Sequence, residues 1–328
     1  MSDGLDLLAN DLQASEPAVQ LSLTRAGVTG VSKAIRVSHE GSQTVMAAQI
    51  ECTVDLDRAQ KGVHMSRFPE LFEEAIEAVV DTEALHVETL AEHIAGHIVE
   101  RQSALRAEVR IIAQWPVRRT TPVSGLHTQE IVSLVGIAAA SGDAVRRVVG
   151  VEANGINACP CAQGLVRSRA AERLGEAGFE SIDIDRILEL VPLATHNQRG
   201  RGTLYVGTVK PGGRQLDAND LVRVVESSMS APVYELLKRP DELFVVEHAH
   251  LRPRFVEDSV RLSLKGALES LPELEDGDFL FARQVNFETI HAHDVLAERS
   301  GTVGELRGEL ETGTPAAHHT ALADWLRG

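Results

Sequence analysis

Two of the chain's three cysteines are separated by a single proline in ACPCAQ at 158–163, and ATHNQRGRG follows at 194–202 after a stretch rich in Arg, Glu and Ala. A thiolate and an imidazole brought together, with positions left for water or substrate, suit Zn or Fe(II) by ligand softness. The plainer reading of the CPC run is a pair of buried thiols acting as small hydrophobes. Asn154, Asn157 and Gln163 weigh against it, because polar side chains are costly to bury around inert sulfur without a reason. Three cysteines do not make a disulfide framework. Two other histidine pairs are set aside. His93 and His97 stand one helical turn apart, but Ile94 occupies the place where a zinc protease needs its glutamate, and His318-His319 lies in a tail.

At 328 residues the chain is long enough for two domains or one bimodular domain, and 43% hydrophobic with 24% charged residues places it among globular proteins. Its longest apolar run, Ile131 to Ala140, is far short of the ~20 residues a bilayer span requires. The acidic start MSDGLDLLANDLQ has no basic region or apolar core of a signal peptide, so a cytoplasmic protein is expected. A formal charge of −16 argues against non-specific nucleic-acid or membrane binding. Lysine occurs only at Lys33, Lys61, Lys210, Lys238 and Lys265, leaving most anion recognition to arginine.

The elements that must position the thiol and imidazole follow from periodicity. Residues 19–25 and 31–37 form a strand broken at Gly27 and Gly30, and Ile50, Cys52, Val54 and Leu56 alternate with polar neighbours as a half-buried strand does. LFEEAIEAVV after Pro69 and ETLAEHIAGHIVERQ are helical, and LRAEVRIIAQW and EIVSLVGIA return to strands. The order then repeats: VRRVVGVEAN and TLYVGTV as strands, DANDLVRVVESSM and RFVEDSVRLSLKGAL as helices, FLFARQVNF and IHAHDVLAE as strands. A solvated helical insertion over about 162–190 interrupts the second unit. The expected organisation is an α+β chain: a flexible segment 1–16, a first ββααββ module 17–142, a second 143–300, and a mobile tail 301–328. Sheets covered by helices on one face leave edges to pair, so self-assembly is expected.

Five ordered motifs, QKGVHMSRF at 60–68, CPCAQ, THNQRG, LLKRPDE at 236–242 with FVED at 255–258, and NFETIH at 286–291, make the chain resemble the type IB GTP cyclohydrolases. The CPCAQ wording and the long insertion are more similar to the archaeal, methanopterin-pathway branch than to the bacterial one. The resemblance implies a tunnelling fold (T-fold) with antiparallel sheets and helices on one face. It also implies a homo-oligomer, a tetramer favoured, with sites near subunit interfaces. Carried over by motif, Cys159, His196 and Glu242 ligate a divalent metal, Cys159 being the first of the CPC pair. Fe(II) is the implied metal of the archaeal branch, Zn or Mn of the bacterial one. Glu257 matches the purine anchor, since a carboxylate can accept guanine's N1–H and amine together. Glu288 and His291 match residues of proton transfer. Lys61, His64, Ser66 and Arg67, with Arg199 and Arg201, are the candidates for the triphosphate. Bland readings compete throughout: Glu242 as a solvated helix-end charge, Glu257 as a helix N-terminal charge, Arg67 as a surface ion-pair partner.

The implied reaction opens the guanine imidazole ring of GTP, releases formate and gives 7,8-dihydroneopterin 2′,3′-cyclic phosphate in the archaeal branch or the triphosphate in the bacterial one. A deazaguanine nitrile reductase of the same fold, using NADPH and no metal, is one alternative. A non-catalytic, metal-stabilised purine-binding or assembly protein is another.

Overall fold

The strand that carries Met46, Ala48, Ile50, Cys52 and Val54 buries all five on one side, as period-two alternation requires, and the same rule builds the rest of the sheet. A computed structural model describes residues 13, 15–39, 42–80, 86–102, 104–142, 144–209 and 216–328. The first half of the chain runs β1 (Leu23–His39), β2 (Ser42–Leu56), α1 (Arg67–Val80), α2 (Val87–Gln102), β3 (Ala107–Thr120) and β4 (His127–Ser141). The second runs β5 (Ala144–Ala158), α3 (Pro160–Glu176), α4 (Ser181–Leu190), β6 (Asn197–Thr208), α5 (Ala218–Ser228), β7 (Ala231–Pro232), α6 (Arg239–Leu251), α7 (Val256–Ser270), β8 (Phe279–Asn286), β9 (Val295–Thr302), α8 (Val303–Thr312) and α9 (Leu322–Trp325). The strands form one antiparallel sheet in the order β1-β2-β3-β4-β5-β6-β8-β9, with β7 paired to β5.

The break expected at Gly27 and Gly30 is a pair of register shifts inside one long strand, with Gly30 at φ 70°. Helices α1, α2, α5 and α7 cover one face, and the main core lies between them and the sheet. Contact is close enough at Gly136 that an added Cβ would lie 2.6 Å from the backbone of Val87, so α2 rests directly on β4 there. The insertion is a helical hairpin in which α3 buries no residue and α4 only Leu188, as its solvated composition requires.

Three expectations are corrected. Residues 301–328 are not a loose end: Thr302 caps α8 through a capping box with Glu305, and Trp325 and Leu326 are buried. Helices are also not confined to one face. The Trp325 ring in α9 packs against Phe279 (centroids 5.4 Å apart) and joins Val135, Ile137, Val148 and Tyr205 in a second core on the opposite face. The run read as a strand from Ile290 begins pairing only at Val295, which leaves His291 in a loop. The expectation for 1–16 falls largely outside the described residues.

Glu88 in α2 is 5% exposed and its Oε2 has no hydrogen-bond partner. Burial pushes its carboxyl up to about 7, opposed by its own amide and by Arg147 and reinforced by Glu92. A carboxyl whose value rises on folding favours the fold when protonated. Its contribution therefore falls as pH rises from about 4.5 to about 7. Glu88→Gln is expected to stabilise the chain by ~1–3 kcal/mol at pH 8 and by much less at pH 4.5. Urea unfolding at the two pH values measures this, and an equal effect at both contradicts it.

Candidate active site

The last register pair of β5 and β6 is Ala158 with Asn197, and the chain continues the pairing one step further: the Cys159 amide donates to the His196 carbonyl at 3.1 Å. Residues directly opposite in an antiparallel pair project to the same side, so the thiol and imidazole share the helix-covered face. Cys159 is also the N-cap of α3, its sulfur accepting from the Ala162 amide at 3.5 Å, and the Thr195 hydroxyl donates to its carbonyl at 2.9 Å. Pro160 at the first helical position turns the chain from strand to helix with no amide to satisfy. Cys161, one residue into that helix, is exposed, and Cys52 is a buried thiol that burial pushes up, inert in the core.

The His196 ring is oriented by Gln198, two residues along the same face of β6. Gln198 Nε2 donates to Glu288 Oε1 at 3.1 Å, which turns its Oε1 toward His196 Nδ1, also at 3.1 Å. An amide oxygen only accepts, so Nδ1 carries a proton, and in the neutral ring the lone pair is then on Nε2. The second Glu288 oxygen is buried without a hydrogen-bond partner, 3.7 Å from His196 Nδ1. Behind this group lies a buried amide and hydroxyl network. Asn157, fully buried, donates through Nδ2 to Ser259 Oγ and Asn286 Oδ1, both at 3.1 Å, and accepts from the Ser230 amide at 3.1 Å. Ser230 Oγ in turn accepts from the Ala158 amide at 3.1 Å, and Gln284 donates to Asn286 Oδ1 at 3.0 Å. Of the polar neighbours that argued against inert thiols, Asn157 is the centre of this set and Gln163 ties α3 to the Leu193 and His250 carbonyls, whereas Asn154 lies outside it. Gln198, Ser230, Ser259, Gln284 and Asn286 were not foreseen; polar residues at inward positions of strand alternation are the signal that marks them.

Glu242 is not brought to this pair. It is exposed in the first turn of α6, whose neighbour Asp241 accepts from the amides of Val123, Ser124 and Lys238 and from the Ser124 hydroxyl. Desolvation pushes the Asp241 carboxyl up, but those hydrogen bonds outweigh it and hold it below the usual range. The other end of α6 meets the site: the His250 carbonyl accepts from Gln163 Nε2 at 2.6 Å and its ring approaches the Thr195 carbonyl at 3.4 Å. Eight helical residues separate positions 242 and 250, ~12 Å along the axis.

The remaining expected residues scatter. Glu288 is at the site, whereas His291 is exposed in the β8–β9 loop with its ring stacked on His293. Glu257 is exposed at the start of α7, on a cleft of about 560 Å³ shared with Arg261, Lys265 and Glu298. Arg199 and Arg201 alternate out of phase with His196 and Gln198 and emerge on the other face of the sheet, where Arg201 lies 5.3 Å from the Phe287 ring centroid. Lys61, His64, Ser66 and Arg67 follow the end of β2. Because β2 and β5 run in opposite directions, that end is remote from Cys159 by about the length of β5, ~45 Å. His93 and His97 are neighbouring rings on the outer side of α2, 4.7 Å apart.

The donor chemistry fits a soft divalent ion in part. One sulfur and one imidazole nitrogen with a hydrogen-bonded Nδ1 are present together, as metal-binding histidines require. Among the described residues, however, no group of three His, Cys, Asp or Glu side chains could hold a metal within one chain. No helix among them is long and apolar enough to cross a membrane.

An α+β architecture on one antiparallel sheet, with a thiol and an imidazole paired at a strand junction, is the class that fold and site define. A family profile described as "Type I GTP cyclohydrolase folE2" matches residues 9–297. GTP cyclohydrolase MptA of Methanococcus aeolicus is 42% identical over 308 residues, covering 92% of this chain and 99% of that protein. GTP cyclohydrolase MptA of Methanocaldococcus jannaschii is 40% identical over 306 residues, covering 92% and 97%. The solved uricase of Arthrobacter globiformis superposes with a TM-score of 0.52 at 10% identity, covering 92% of this chain and 98% of that one, a likeness of fold alone. The chain belongs to the type I GTP cyclohydrolase folE2 family.

Asn157→Ala removes three hydrogen bonds and strands the buried Ser230 amide. A loss of ~2–4 kcal/mol in unfolding free energy is expected by urea denaturation, and a loss below 1 kcal/mol would contradict the network's role.

Proposed function

We propose that this chain is a metal-dependent GTP cyclohydrolase that opens the guanine imidazole ring of GTP and releases formate. The product would be 7,8-dihydroneopterin 2′,3′-cyclic phosphate, the first step of a methanopterin-type pterin pathway. The observation that carries the reading is the pairing of Cys159 with His196 at the β5–β6 junction. MptA relatives at 40–42% identity along almost their whole length support it.

In this reading Cys159 and His196 would hold the metal, Fe(II) in the archaeal branch and Zn or Mn otherwise. A divalent ion there would supply an activated water at neutral pH. Gln198, by accepting from Nδ1, leaves Nε2 of the neutral ring as the ligand atom, and Glu288, anchored by Gln198, is assigned proton transfer at the reacting water or ring nitrogen. His291, from the adjoining loop, is assigned the second proton transfer. Glu257 accepts the guanine N1–H and amine and so selects guanine over adenine. Exclusion of bulk water falls to the buried amide network, which closes the site from the core side.

Glu242 stands at the end of α6 away from the Cys159–His196 pair, and the Lys61, His64, Ser66 and Arg67 segment at the opposite end of the sheet. We assign them to sites formed between copies of a homo-oligomer, a tetramer of tandem ββααββ modules (17–142 and 143–300) in the tunnelling fold. A cytoplasmic setting, with no nucleic-acid or membrane partner, fits the acidic charge.

Anaerobic assay of GTP turnover, with Fe(II), Zn or Mn added back singly after chelation, tests the reading. Chelation should abolish activity, and Cys159→Ala should lower kcat by roughly 10³-fold while the chain stays folded. Cys161→Ser should be near wild type. Mass analysis should find a cyclic monophosphate. An intact triphosphate product would move the chain to the bacterial-type reaction, and unaffected turnover in Cys159→Ala would overturn the site.

A further inference from the structure

A cavity of about 490 Å³ lies between the end of β3, the end of α5, β7 and the C-terminal turn of α6. Its cationic lining is Arg118, Arg119, Arg223 and Arg252, with His248 beside them and Glu226 as its single carboxylate. That carboxylate is committed: Glu226 pairs with Arg119, which also meets Glu130 at 3.5 Å, and Arg223 pairs with Asp220. Arg118 is exposed and has no carboxylate partner among the described residues. Arg252 Nη1 donates to His248 Nε2 at 2.7 Å, so a cation leans on a histidine instead of an acid. In a chain of net charge −16, this is a local excess of guanidinium.

The excess is strained electrostatically. The His248 imidazole is held below its usual range by desolvation, then by the charges of Arg252 and Arg254. Arg254 is pushed down by desolvation and by Arg252, with Asp258 opposing. Like charges gathered this way repel until an anion joins them, and planar guanidinium groups are suited to phosphoryl oxygens.

The cavity is tied to the thiol–imidazole pair. The Arg254 amide donates to the Ala158 carbonyl at 3.0 Å, and Ala158 immediately precedes Cys159. On the other wall, Met229 and Ala231 flank Ser230, whose hydroxyl accepts from the Ala158 amide at 3.1 Å, and Ala231 pairs with Ile156. β3 and β5 run in the same direction, so Arg118 stands at the Cys159 end of the sheet. The Lys61–Arg67 segment stands at the opposite end.

We propose that this arginine-lined cavity is a polyphosphate-binding site belonging to the same chain as Cys159 and His196, with Arg118 and Arg252, neither paired with a carboxylate among the described residues, as its guanidinium ligands. As the seat of a substrate's phosphate chain it rests on the nucleotide reading above; as a site for a free polyphosphate it does not. Volume agrees with a chain of two or three phosphates and ordered water.

Inorganic tripolyphosphate is the probe, titrated calorimetrically into the full-length protein. Wild type should bind it, with affinity falling steeply with salt, and Arg118→Gln/Arg252→Gln should bind at least tenfold more weakly. Arg169→Gln/Arg173→Gln, both exposed on α3, removes the same two charges away from the cavity and should bind as wild type does. Arg118→Lys/Arg252→Lys keeps the charge and guards against misfolding; it should lie between the two. Steady-state turnover of GTP then separates the sources. A KM raised tenfold or more with kcat little changed identifies the substrate's own tail, and an unchanged KM with lost tripolyphosphate binding identifies a free polyphosphate. Absence of GTP turnover with tripolyphosphate binding intact would fell the cyclohydrolase reading and leave this site standing. No binding by wild type, or a loss confined to Arg67→Gln, would overturn the proposal.

Discussion

The hydrogen bond from the Cys159 amide to the His196 carbonyl is the constraint on which the site depends. It is the final rung of the β5–β6 ladder, so thiol and imidazole are held by sheet register and not by loop conformation. A slip of one residue would send either side chain to the opposite face. The rung survives at a strand end because both neighbours are secured: Ala158 by Ser230 and Arg254, Thr195 by its bond to the Cys159 carbonyl. The long insertion α3–α4 can therefore hang between the two ligands in sequence without separating them in space.

Fixing the register does not by itself orient the ring. Gln198 does that, using Glu288 to decide which way its amide faces, and the resulting Nδ1 proton is what leaves Nε2 open. The buried network around Asn157 then joins β5, β8, α7 and the Ser230 segment into one support. Such a network is stabilising only when its members are satisfied, and the polar atom left over is the Glu288 Oε2 that faces the imidazole.

Strand and helix order was legible because apolar alternation in β2 and β3 and the stripes of α2 and α5 obey simple periods. α6 was not. Its inward positions are Asp241, Val245 and Ala249, while Leu243, Phe244, Val246 and Leu251 face outward, so its hydrophobic pattern points away from its own core. The end of the chain was misjudged from its Gly, Glu and Thr content, although the Thr302-Val303-Gly304-Glu305 capping box and Gly313 at φ 67° announce α8. At the site, Cys159 and His196 could be paired from residue type, whereas the remoteness of Glu242, Arg199 and Lys61 could not be foreseen. It is a consequence of strand direction and face, which emerge only when the sheet is assembled.

An acidic chain that handles a nucleotide must confine its positive charge, and here that charge collects at the same end of the sheet as the thiol. The central claim is the thiol–imidazole ligand pair, and X-ray absorption at the metal edge of Zn- or Fe(II)-reconstituted protein tests it most directly. The account predicts one sulfur neighbour at ~2.3 Å with an imidazole shell, lost in Cys159→Ser and kept in Cys161→Ser. A shell of oxygen and nitrogen alone, or a sulfur neighbour that persists in Cys159→Ser, would contradict it.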